Sequence, residues 1–123
     1  MSTVWSRSVW MRLGAMQACF AAMIFMLAHP AANLLLASQI QFMHGMATIA
    51  CCTFMGVGGT GARLAPKFFQ TGIIIFCLPA WSEALGHAWP YASAIQFAGT
   101  AILLIGWLTM IHGGRTIDRA HKP

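Results

Sequence analysis

The sequence predicts an all-α fold, an integral membrane four-helix bundle, and three observations lead there. Hydrophobic residues make up 59% of the 123 and charged residues only 7%, against about 25% charged in an ordinary soluble domain. Four apolar runs, at 10–28, 39–57, 68–85 and 92–111, each approach the ~20 residues that cross about 30 Å of hydrocarbon at ~1.5 Å per residue. The basic residues fall only in three segments that alternate with the gaps between those runs. A soluble bundle would need polar helix faces to meet water, and these helices are apolar all round. With 123 residues, a single transmembrane domain is expected.

Span one opens with Arg12 in its first turn, where a long stem snorkels to the headgroups. Arg7 and Arg12 before an apolar stretch resemble a signal peptide, and the stretch is read here as an uncleaved first span. Span two follows a loop marked by Pro30. The glycine-rich segment from Gly56 to Lys67 ends it, and Pro66 starts span three. Pro79 lies within span three and removes one amide donor there. Pro90 marks the last loop before span four.

Arg7 and Arg12 precede span one, Arg63 and Lys67 lie between spans two and three, and Arg115, Arg119 and Lys122 follow span four. The other two loops contain no Lys or Arg. The positive-inside rule therefore places both termini on the cytoplasmic side of a bacterial inner membrane. Trp5, Trp10 and Trp107 are expected at the inner boundary, and Trp81, Trp89 and Tyr91 at the outer one, depths that amphipathic rings favour. The formal net charge of +5 forms no patch or nucleic-acid motif, so no nucleic-acid partner is expected.

Close approach of helices in lipid depends on small residues. Gly14, Ala18 and Ala22 recur every fourth residue on span one, and Ala94 with Ala98 does so on span four. Both faces are expected to be buried in the bundle. Cys19, Cys51, Cys52 and Cys77 lie in apolar runs without Cys-x-x-Cys spacing and read as small buried side chains.

Polar groups inside the bilayer are costly, so each calls for a partner or a role. On these span limits His29, Gln39, Gln41, His44, Glu83, His87 and Gln96 belong to the outer half, Gln17 and Gln70 to the inner. Glu83 and His87, four apart on a helix, share a face and could hold a divalent metal if His29 or His44 supplied a third ligand. The plainer reading is that they bond to water or to one another. His44 and Gln41 look into the bundle. A neutral imidazole there can tie helices together through its two nitrogens. Alternatively it could donate to a quinone carbonyl with Gln41 beside it, or ligate a haem. The only acidic residues are Glu83 and Asp118, there is no phosphate-binding loop or Gly-x-Ser-x-Gly, and no enzyme activity is expected.

Gly14 and Ala15 opening span one, Ala28 and His29 closing it, and Gln41 with His44 as Gln-x-x-His form an ordered set. Gly72 and Phe76 in span three, and Gly106 with Trp107 ending span four, complete it. In this the chain resembles the small four-span bacterial inner-membrane proteins of the YgdD type, a family of unknown function, from Gly14 to Trp107. Such proteins carry a small Ser-Gly-Ser stretch in span three where this chain reads Cys77, Leu78, Pro79. The resemblance implies a four-helix fold, supplies no reaction, and raises His29, Gln41 and His44 as positions to test. The expected role is a non-catalytic accessory or structural subunit without a cofactor, with a membrane-protein partner or a second copy of itself. The alternative is a quinone or divalent-metal site in the outer half.

Overall fold

The computed structural model describes residues 7–27, 30–57 and 60–120, with side chains as far as 117. These fold as α1 (Arg7–Phe25), α2 (Ala32–Gly56), a 3₁₀ turn (Gly61–Arg63), α3 (Ala65–Ala84), α4 (Ala92–Gly113) and a short α5 (Arg115–Ala120). The first four helices are long and apolar enough to cross a membrane, so the chain is an all-α, multi-pass membrane protein. Trp5, Ala28 and His29 lie outside the described residues.

α2 begins at Ala32, seven residues before the limit that its polar Asn33, Ser38 and Gln39 suggest. Helix continues through them because two find partners. The Ser38 hydroxyl donates to the Leu35 carbonyl at 2.8 Å, and Asn33 Nδ2 donates to Glu83 Oε2 at 3.2 Å. α3 starts as its proline predicts, with Pro66 in the first turn, where no amide donor is needed. Its end is a Schellman cap. His87 N donates to the Ser82 carbonyl and Gly86 N to the Glu83 carbonyl, both at 2.9 Å, and Gly86 takes φ 90°.

Two antiparallel hairpins, α1–α2 and α3–α4, form the most extensive contacts and join through α2 and α3. Glycines close each hairpin. A methyl group on Gly14 would stand 2.6 Å from the Gly45 carbonyl oxygen, and one on Gly45 would stand 2.9 Å from that of Gly14 and 3.1 Å from the Ala18 nitrogen. In the second hairpin, a methyl on Gly99 would meet Phe76 N at 2.7 Å and one on Gly106 the Phe69 ring at 2.7 Å. Phe69, Ile73 and Cys77 of α3 are fully buried between the hairpins.

The small-residue faces need correction. Gly14 is buried and Ala18 half-buried, but Ala22, Ala94 and Ala98 are exposed. Four residues turn a helix by about 400°, so a strict fourth-residue repeat drifts about 40° per step and leaves the packed face. The buried side of α1 runs instead through Trp10, Gly14, Ala21 and Ile24, and that of α4 through Gly99, Leu103 and Gly106. Ala98 stands about 100° away from Gly99 and faces outward.

Candidate functional site

Three glutamines, one on each of α1, α2 and α3, meet inside the bundle. Gln41 Nε2 donates to Gln17 Oε1 at 2.6 Å, and Gln17 Nε2 donates to Gln70 Oε1 at 3.1 Å. Gln70 Nε2 donates to Thr48 Oγ1 at 3.0 Å, and Thr48 donates to the His44 carbonyl at 2.8 Å. Gln17 and Gln70 each both give and receive, so neither end of those two amides is left without a partner in an apolar medium. The run leaves α2 at Gln41, crosses α1 and α3, and returns to α2 at Thr48, about two turns away. Gln41 is 1% exposed and its Oε1, at the head of the run, has no protein partner.

His44, 5% exposed, lies beside this run. Its Nδ1 is 2.8 Å from the Ile40 carbonyl, and Trp107 Nε1 stands 3.0 Å from its Nε2. A carbonyl can only accept and an indole N–H can only donate, so the ring is neutral with its proton on Nδ1. Phe69 completes an aromatic cluster, with ring centroids 5.6 Å from His44 and 5.0 Å from Trp107. These contacts tie α2 to α3 and α4.

The depths expected from span limits are therefore revised. Gln41 meets Gln17, which in turn meets Gln70, so the three amides stand at neighbouring levels rather than well apart. Trp107 likewise reaches His44 and is not confined to the inner boundary. Both nitrogens of His44 are engaged, so a quinone carbonyl or a haem iron would have to displace Ile40 or Trp107.

Glu83 and His87 do not share a helix face. The Gly86 cap ends α3 before His87, whose backbone turns back on Ser82: its N–H donates to the Ser82 carbonyl, and its own carbonyl accepts the Ser82 hydroxyl at 2.7 Å. Glu83 is bound to Asn33, eleven residues and about 16 Å along α2 from His44. Among the described residues no group of three or more His, Cys, Asp and Glu could hold a metal ion. His29, one of the two third ligands expected, lies outside those residues, and His44, the other, is the residue about 16 Å away.

Three of the cysteines are buried and in contact with neighbouring groups. Cys77 Sγ approaches the Ala37 carbonyl at 3.3 Å, Cys52 Sγ the Arg7 carbonyl at 3.3 Å, and Cys51 Sγ the Met110 sulfur at 3.6 Å. Cys19 is exposed, unlike the buried position expected of it.

Sequence reasoning flagged Gln17 and Gln70 as needing partners but missed that they serve each other. The available signal was one amide near the middle of each of three apolar helices. Thr48, a hydroxyl on the His44 side of α2, was not singled out. No known family, curated protein or solved structure matches the chain.

Proposed function

We propose that the chain is a non-catalytic accessory subunit of a bacterial inner membrane, held with both termini in the cytoplasm, that docks through its lipid-facing surface onto a larger membrane complex. The observation that supports this most is the direction in which α4 presents its small residues. Ala94, Ala98 and Ala101 are exposed and follow one another at helical spacing, on the helix with the least buried apolar window of the four. Small residues are what a second helix packs against in lipid. The intramembrane polar groups, in contrast, bond chiefly within the bundle, and His44 has no free ring nitrogen to offer a substrate. The seven-to-none division of Lys and Arg between the two sides supports the orientation.

Native mass spectrometry of the tagged chain, extracted gently with its lipids, tests the reading. A discrete assembly containing this chain and a larger membrane protein is expected. A solitary monomer, or an assembly of this chain alone, would overturn it.

A further inference from the structure

Among the described residues two buried polar side-chain atoms lack protein partners, Gln41 Oε1 on α2 and Trp81 Nε1 on α3. One is an acceptor and the other a donor. An unmade hydrogen bond is costly in an apolar interior, and internal water commonly satisfies such groups, with ~3 hydrogen bonds each.

The contacts around them set their relative depth. Cys52 with Arg7, Gly45 with Gly14 and Gln41 with Gln17 pair α2 with an antiparallel α1. Three residues beyond Gln17, Phe20 therefore stands at the level of Ser38. The Phe20 ring meets Trp81 edge to face, with centroids 5.6 Å apart. Trp81 thus places its indole about one turn, ~5.4 Å, from Gln41 along α2. On α3 the Cys77 to Ala37 contact and the Asn33 to Glu83 bond set the Trp81 backbone about one turn further out, near residues 33–35 of α2. Helical side chains lean toward their own N-terminus, so on antiparallel α2 and α3 Gln41 and Trp81 lean toward each other. An oxygen with two hydrogen bonds of about 2.8 Å at a roughly tetrahedral angle joins partners ~4.5 Å apart.

Ser38 lies between them. It is fully buried, three residues from Gln41 on the same face of α2, and its only proton goes to the Leu35 carbonyl. Its lone pairs remain able to accept.

We propose that one internal water molecule sits between α1, α2 and α3, accepting the Trp81 indole N–H and donating to Gln41 Oε1 and Ser38 Oγ. The ligand must accept from one helix and donate to another. A hydroxyl oxygen does both, whereas a ketone or quinone carbonyl cannot donate to Gln41. With the water in place the hydrogen bonds run without a break from Trp81 through Gln41, Gln17, Gln70 and Thr48 to the His44 carbonyl. The His44 ring then continues to Trp107, so one network touches all four long helices. The site is independent of any docking on α4.

The test is a ¹⁵N-edited NOE spectrum of the labelled full chain in perdeuterated detergent, with the indole resonances assigned by through-bond correlation. The Trp81 indole proton is expected to show a cross-peak at the water frequency, with the sign of a long-lived bound molecule. Trp107, whose proton goes to His44, provides the comparison and is expected to show none. In Gln41→Leu the Trp81 cross-peak is lost while the Trp107 indole resonance stays in place, which reports an intact bundle. A resolved Trp81 resonance without a water cross-peak in the wild type would overturn the proposal. A cross-peak unchanged in both Gln41→Leu and Ser38→Ala would do the same.

Discussion

The indole N–H of Trp107 is donated to Nε2 of His44 across 3.0 Å, joining α4 to the middle of α2. Trp107 is 40% exposed, so its ring borders lipid while its nitrogen points inward. Interhelical hydrogen bonds in membrane proteins contribute about 0.6 kcal/mol on average and at most ~1.7. Trp107→Phe keeps most of the ring packing against Phe69 and removes the donor. A loss of about 1 kcal/mol is expected, read from reversible unfolding in mixed micelles. In a double-mutant cycle with His44→Phe the two losses should be less than additive. Full additivity would show that the pair does not interact.

Gln17 holds the centre of the amide run, accepting from Gln41 and donating to Gln70. Gln17→Leu leaves both neighbours short of a partner in an apolar interior, at a cost of about 1 to 3 kcal/mol. Replacing Gln17, Gln41 and Gln70 together by Leu should recover part of that loss, because no amide is then stranded. Unfolding midpoints of the single and triple variants decide it, and a triple variant worse than the sum of three singles would contradict the arrangement.

Two glycines separate close packing from turn chemistry. Gly14→Leu forces a side chain where even a methyl would come 2.6 Å from Gly45 O, and it should abolish the α1–α2 contact and most folded protein. Gly86→Ala meets nothing within 4 Å but holds φ 90°, so about 1 to 2 kcal/mol of backbone strain is its whole effect. Size-exclusion profiles of folded yield should rank wild type first, Gly86→Ala a little below it, and Gly14→Leu far behind.

The Glu83 carboxylate is bonded to Asn33 and His87 lies beyond the end of α3. Dialysis against a chelator should therefore leave the melting midpoint unchanged. A drop of several degrees, reversed by adding zinc and missing in His87→Ala, would show a metal joining the loop ends.

The fold was legible because apolar length and charge placement are strong signals, and α4 began at Ala92 as its pattern indicated. The site was legible only in part. The expected span left residues 32–38 outside the helix, and the partners that hold Asn33 and Ser38 come from Glu83 and from a backbone carbonyl. Beginning α2 seven residues late moved its expected outer end by about 10 Å. That shift set His44 toward one end of α2 rather than at its middle and hid the meetings of Gln41 with Gln17 and of His44 with Trp107. Ala94 and Ala98 were misread for a geometric reason, because spacing by four shows that residues share a face without showing which way it points.

The central claim is that this bundle bonds inward and associates outward, through the small-residue side of α4. Placing a photo-reactive residue at Ala98 and irradiating native membranes tests it most directly, with the same residue at the buried Leu103 as comparison. One discrete adduct with a larger membrane protein, formed from Ala98 and weakened by Ala94→Ile on the same face, is the result expected. Adducts with lipid alone, while the protein is folded and in its membrane, would contradict the account.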